Sequence, residues 1–262
     1  MLGGGAPGYP LIYKALRSSE KYDPVIIVTE VNKFAGNLYL DRWVDKIYLV
    51  PFNDSSEFIP ALLKIVEQEK VDFLFSMVDE ELQKLSAEKN SFEKFGCDVL
   101  LPPAESLGES FNKKRTFQVL DGRIPIPQTI PYRPDMKIKE TFTLLGEMAV
   151  VKACRTRGNR HNYLANDLEE FEFYIKTFLK SGIDFLCQEY IDGDEFNVSL
   201  MLGHDGEVLY SICRQKIDPP RTRANTLAGL IVRDEVMEQN AVEAARMLHL
   251  VPGASNVEFR LG

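Results

Sequence analysis

The chain has little sulfur, little histidine and no surplus of positive charge. Its four cysteines (Cys97, Cys154, Cys187, Cys213) stand far apart with no Cys-x-x-Cys, and His161, His204 and His249 are scattered. Neither set has the spacing of a zinc site, and isolated thiols fit a reduced, cytoplasmic setting better than a disulfide framework. No apolar run approaches the roughly 20 residues that a membrane-spanning helix needs, and no secretory leader is read in the first residues. Lysine and arginine number 31 against 39 acidic residues, for a net charge of −8. That balance disfavours general binding to nucleic acid or anionic membrane, so any basic site has to be local.

What is present is core-forming material. With 262 residues, 45% of them hydrophobic, the chain can build one large or two modest domains. Residues 1–105 alternate helix and strand. Tyr9–Ser19, Ser55–Glu69 and Glu80–Phe95 carry apolar residues at helical spacing, and Val25–Thr29, Ile47–Val50, Val71–Met77 and Val99–Leu101 read as buried strands. Continuous apolar strands between amphipathic helices predict a Rossmann-like parallel sheet, an α/β class. Gly3–Gly8 matches G-x-G-x-x-G, and Glu30 ends the next strand about 20 residues on, the dinucleotide fingerprint. A tight β–α turn that binds no NAD satisfies the same pattern. Met1-Leu2 reads as the last two residues of a strand, and the strand Asn256–Leu261 stops just before Gly262, so both ends read as truncated.

After Pro102-Pro103 the pattern changes to an α+β class, residues 106–262. Phe111–Leu120 is a short helix with Asn112 near its start and Lys113, Lys114 and Arg115 in its first turn. Cations there oppose the helix macrodipole, which an anion would offset. The connector Arg123–Arg133 holds three prolines and cannot be helical. Ile138–Gly146 reads as a helix. The apolar run Ala149–Val151 then delivers Lys152 into a basic hairpin with Arg155, Arg157, Gly158 and Arg160. Several cations and free backbone N–H groups in one turn suit a polyanion such as nucleotide phosphates, and equally describe a solvated basic turn. Asp167–Lys180 is an amphipathic helix, Phe185–Glu189 a strand, Glu195–Leu202 and Glu207–Ile212 a hairpin, Lys216–Thr226 a basic loop and Arg233–Leu248 a helix. Glu258 alternates with Val257 and Phe259, which leaves it either facing outward or buried against a partner or metal.

The order of these stretches resembles the ATP-grasp superfamily, and most closely the branch of the carbamoyl-phosphate synthase large subunit, over nearly the whole chain. Residues 1–105 are similar to its pre-ATP-grasp domain. NKKRTFQVL followed by IPIPQT resembles the family's Asp-Lys helix and Ile-Pro-x-Pro-x-Thr connector, which implies Lys113, or Lys114 if the register slips by one, as the first nucleotide lysine. VVKACRTRGNRHN resembles the phosphate flap, with Lys152, Gly158 and Arg160 on matching positions. Ala153, Thr156 and His161 stand where the family has proline, glycine and glycine. QEYIDGDEF resembles the adenine and ribose segment. On that likeness Gln188, Glu189, Tyr190 and Ile191 bind the nucleotide, Glu189 accepting from the adenine amino group and the Ile191 backbone meeting the ring edge, and Glu195 holds ribose hydroxyls. NVEF places Glu258 on the first magnesium ligand, and the family's next strand, Glu-x-Asn, would follow Gly262.

The resemblance implies an ATP-grasp fold of two α+β subdomains, with a flap subdomain over about residues 149–190, incomplete at its C-terminus. It implies ATP with Mg2+, or Mn2+, and a carboxylate–amine ligase acting on small molecules, with a homodimer as the expected assembly. Arg214, Lys216, Arg221 and Arg223, in the loop Arg214–Arg223, are the residues it implies for substrate contact and catalysis. A non-catalytic ATP-binding protein of this fold is the alternative, and an NAD-dependent oxidoreductase resting on Gly3–Gly8 is a third reading.

Overall fold

Leu2 is the point on which the first sheet closes. In the computed structural model it forms parallel bridges to both Thr29 and Ser76. On one side lie β1 (Ile27–Glu30) and its parallel partner β2 (Lys46–Leu49). On the other lie β3 (Phe73–Leu74) and β4 (Asp98–Val99), also parallel. The structure describes residues 1–6, 8–40, 42–156, 160–217 and 228–262. They divide into two compact units, Met1–Ala104 and Glu105–Gly262.

In the first unit, α1 (Tyr9–Arg17) starts behind Gly8 with a proline in its first turn, where a missing N–H costs nothing. Its Tyr9 and Tyr13 are buried with Val28 and Leu38. On another core, α2 (Phe58–Glu69) buries Phe58, Leu62, Ile65 and Val66 with Leu2, Leu74 and Val99. The single helix expected over Glu80–Phe95 is two, α3 (Asp79–Ala87) and α4 (Lys89–Glu93). The break falls at Glu88, whose backbone leaves the helical region at φ −100°, ψ 10°. Periodicity alone runs through such a break, because the apolar stripe resumes in phase at Phe92.

The second unit holds α5 (Ala104–Ser110), which begins at the unit boundary and which the sequence pattern did not reveal, and α6 (Lys113–Leu120). A four-stranded sheet follows in the order β5 (Thr129–Pro131), β8 (Phe185–Glu189), β6 (Ala149–Ala153), β7 (Asn162–Ala165), with every pair antiparallel. The helices α7 (Ile138–Leu145) and α8 (Leu168–Ser181) cover one face, where Phe171, Ile175 and Phe178 meet Ala149, Val151 and Cys187. Each buried phenylalanine contributes roughly 2–3 kcal/mol of apolar transfer. Asp167 caps α8 by accepting from the Glu170 N–H at 2.9 Å, and Gly182 closes it in a left-handed conformation.

The last sheet runs β11 (Gly229–Val232), β10 (Val208–Lys216), β9 (Asp194–Leu202), β12 (Gly253–Leu261), again antiparallel. The amphipathic α9 (Glu235–Met247) packs Met237, Ala241 and Ala245 against Val198, Leu200 and Cys213. The chain is thus mixed α/β, with two two-stranded parallel sheets bridged by Leu2 in one unit and two antiparallel sheets in the other. Three sequence expectations change. β7 and β11 are strands that the sequence pattern left unassigned, because short polar or edge strands carry no clear alternation. β10 runs on to Lys216, so Arg214 and Lys216 lie on a strand of the sheet and not on a loop.

Candidate functional site

The site is built from β6 outward. Along β6, Ala149, Val151 and Ala153 turn to the helices and are buried, while Val150 and Lys152 take the opposite face. Directly opposed residues share a face, so Lys152 sits with Leu186, and Val150 with Gln188. Against that face lies α6. Its cap is Asn112, whose side chain accepts from the Lys114 N–H at 3.1 Å. The Lys113 N–H is held by the Cys154 carbonyl at 2.9 Å, and the Lys113 ammonium donates to the Thr156 carbonyl at 2.8 Å. Lys114 lies elsewhere, on a groove of about 380 Å3 lined also by Phe117, Gln128 and Thr129.

These contacts bring two cations together in a poorly solvated place. The pKa of Lys152 is lowered to about 8, chiefly by burial and then by the charge of Lys113, with Glu258 acting in the opposite sense and Arg260 adding to the depression. Lys113 is also lowered, again chiefly by burial. Among the described residues neither lysine has an ion-pair partner. Lys152 instead lies 5.4 Å from the centre of the Phe117 ring.

The second face is polar and belongs to the last sheet. Lys216 donates to Glu258 at 2.7 Å and reaches Glu195 at 3.5 Å. Arg214 donates to the Asn197 side chain at 3.0 Å, and Asn197 donates to the Asn256 side chain at 2.6 Å. Register explains the grouping, since Glu258 is opposite Asn197, Asn197 opposite Arg214, and Arg260 opposite Glu195. Glu258 is exposed and paired with a lysine, so the outward-facing reading of its alternation holds.

Of the residues singled out from the sequence, Tyr190, Ile191, Glu195, Lys216 and Glu258 are joined by contacts through Arg260 and Lys216, with Arg214 on the same sheet face. Lys113 and Lys152 make their own contacts around α6 and β6, and Lys152 meets the charges of Glu258 and Arg260 only at longer range. Gln188 shares the Lys152 face, is buried, and donates to the Thr129 hydroxyl at 2.7 Å. Strand alternation sends the next side chain, Glu189, the other way. Its carboxylate accepts the Gln128 N–H at 2.7 Å at the sheet edge. A side-chain contact from Glu189 to an adenine on the Lys152 face therefore conflicts with the pleat. Arg160 is exposed. Gly158, Arg221 and Arg223 lie outside the described residues. Arg260 was not foreseen, although its i+2 spacing from Glu258 on a strand puts both on one face.

A magnesium ion bound to a nucleotide needs one or two protein carboxylates, with phosphate oxygens and water completing its shell. Among the described residues no three His, Cys, Asp or Glu side chains gather as a metal cage. Glu258 is exposed and would be the carboxylate to offer such an ion, in exchange for its ion pair with Lys216.

Comparison with known proteins bears on the family and the fold. Residues 111–254 match the family model described as an ATP-grasp domain, and residues 10–100 match a PylC-like N-terminal domain. The carbamoyl phosphate synthase large chain of Pyrococcus furiosus is 25% identical over 264 residues, covering 95% of this chain and 24% of that protein. The chain thus spans about a quarter of the length of that curated relative. The biotin carboxylase of Campylobacter jejuni, solved as a β-γ-ATP complex, is similar in fold with a TM-score of 0.71 at 18% identity, over 95% of this chain and 59% of that one. The D-alanine–D-alanine ligase of Bacillus anthracis, solved with ATP, gives a TM-score of 0.61 at 15% identity, over 90% and 81%. With a family match across more than half of its length and two antiparallel sheets in the matched unit, the chain belongs to the ATP-grasp family, and its residues 10–100 match a PylC-like N-terminal domain.

Proposed function

We propose that the second unit binds ATP with Mg2+ and uses it to activate a carboxylate for attack by an amine or a similar nucleophile. The observation that carries this reading is the Lys113–Lys152 pair. Two ammonium groups whose proton affinity burial lowers, the charge of Lys113 adding to the effect at Lys152, with no carboxylate ion-pair partner among the described residues, ask for a polyanion. A triphosphate chain supplies it.

In this reading Lys113 and Lys152 hold the phosphates, Gly158 and Arg160 belong to the flap over them, and Gln188, Tyr190 and Ile191 border the adenine. Glu189 contributes through its backbone, and Glu195 accepts from the ribose. Glu258 would hold Mg2+, which would supply neutralisation of phosphate charge. Arg214, Lys216, Arg221 and Arg223 orient the carboxylate substrate. One carboxylate oxygen attacks the γ-phosphorus, the bond from that phosphorus to the β,γ-bridging oxygen breaks, and ADP leaves. The amine then attacks the acyl carbon, phosphate departs with the electron pair of the C–O bond, and the nitrogen loses a proton. Charge stabilisation and positioning suffice, with no protein nucleophile.

A second reading, a nucleotide-binding protein without turnover, is favoured by His161. It stands where the family resemblance has a glycine, its own backbone is left-handed at φ 52°, and its ring packs edge-on to Phe178. A flap anchored that way has less freedom to close. Calorimetric titration with ATP, with and without Mg2+, tests the shared part of both readings. Lys152→Ala should abolish binding, and unchanged affinity would overturn both. ADP release on addition of small carboxylates and amino acids then separates them.

A further inference from the structure

Arg260 occupies a corner of the site that nothing above assigns, beyond the end of the family match at residue 254. It stands directly opposite Glu195 in the β9–β12 register. Its guanidinium binds the Glu195 carboxylate through one nitrogen and donates to the Ile191 carbonyl through another at 3.2 Å. The same guanidinium carbon lies 5.2 Å from the centre of the Tyr190 ring. One planar fork therefore joins the strand end, the turn and the carboxylate. Lys216 holds the other Glu195 oxygen at 3.5 Å, while its shorter bond goes to Glu258. The corner is tight. A Cβ at Gly193 would come within 1.7 Å of the Leu261 carbonyl oxygen, so the turn between β8 and β9 rests on the β12 backbone.

We infer that Arg260 is a positioning residue for sugar recognition: it clamps Glu195 to the Ile191 carbonyl and so sets the orientation in which Glu195 accepts from the ribose hydroxyls of a nucleotide. An untethered glutamate has three side-chain torsions to fix before it can accept from a sugar, and the clamp removes that cost in advance. A planar, multidentate donor does this where an ammonium cannot, because it holds direction as well as charge. The inference rests on the ATP-binding reading above and deepens it.

The test compares ATP with 2′-deoxy-ATP and 3′-deoxy-ATP by direct binding to the full chain, without turnover. The wild type should prefer ATP over at least one deoxy form. Arg260→Ala should reduce that preference by about tenfold, the worth of one charge-assisted hydrogen bond, while affinity for that deoxy form stays within about twofold. Arg260→Lys should restore only part of it, and Arg260→Ala placed on Glu195→Ala should change nothing further. If Arg260→Ala does not fold, Arg260→Lys and Arg260→Gln are read for the same ratio. An equal loss for all three nucleotides would overturn the inference, as would tighter binding of all three, which would mean that Arg260 blocks the sugar site. A wild type that binds ATP through Lys152 but ignores the sugar hydroxyls overturns this inference alone. A wild type that binds no ATP overturns the proposed function with it.

Discussion

The ammonium of Lys152 lies 5.4 Å from the centre of the Phe117 ring, on the helix face that also presents Lys113 one turn earlier. The aromatic face is the cation's neighbour where an ion pair would be expected. This leaves Lys152 charged at neutral pH but held at a cost, in the manner of groups tuned for a ligand.

That cost has a direction in pH. Burial puts the Lys152 proton affinity at about 8 in the folded chain, below its ordinary 10.5. Between those values the unfolded chain carries more protons, so this residue makes the ligand-free protein more stable as pH rises through the window. Lys152→Met should therefore raise the melting temperature at pH 7, by on the order of 1–2 kcal/mol in stability, while ATP binding is lost. ATP affinity of the wild type should fall as pH climbs past about 8, read by calorimetry in buffers of different ionisation heat.

Asn112 couples helix stability to the site. Its side chain caps α6 at the residue before Lys113. Asn112→Ala should cost about 1 kcal/mol in denaturant unfolding and weaken ATP binding, because the first turn frays. Asn112→Asp, which restores the residue the family resemblance implies, should hold or raise stability by a few tenths of a kcal/mol.

Gly193 tolerates no side chain, with the Leu261 carbonyl oxygen 1.7 Å from where a Cβ would stand. Gly193→Ala should destabilise the protein by about 2 kcal/mol or more, the scale of a forced backbone shift. Thermal melting measures it, and a shift under about 1 °C would show that the turn can move away from β12.

Glu30 bears on the dinucleotide pattern. Its carboxylate already accepts the Gly5 N–H at 2.7 Å and the N–H groups of Val31 and Asn32. A carboxylate so engaged in closing its own glycine turn has little capacity left for a ribose. NAD titration should give no binding, and Glu30→Ala should lower stability by about 2 kcal/mol through the amides it leaves unpaired. NAD binding that Glu30→Ala abolishes would reverse that assignment.

Much was legible from local pattern. Asp167 before an amphipathic run marked α8, and the apolar stretch of Phe185–Glu189 marked β8, with bounds that agree. Both signals are carried by neighbours within one or two turns, which a chain shows without being folded. The family resemblance likewise rested on short contiguous strings around Lys152 and Glu189. β7 and β11 stayed hidden because the partners that make them strands, Ala149–Lys152 and Cys213–Lys216, are supplied by other segments.

The residue types of the site and their order were readable from the chain, since charge and spacing are local. Which of them face each other was decided only by folding. The pleat separated Gln188 from Glu189, the β9–β12 register set Arg260 against Glu195, and the approach of α6 to β6 placed Lys113 beside Lys152. Those are relations between strands and helices that lie tens of residues apart, and the energy that fixes them is burial of the apolar faces behind the polar ones.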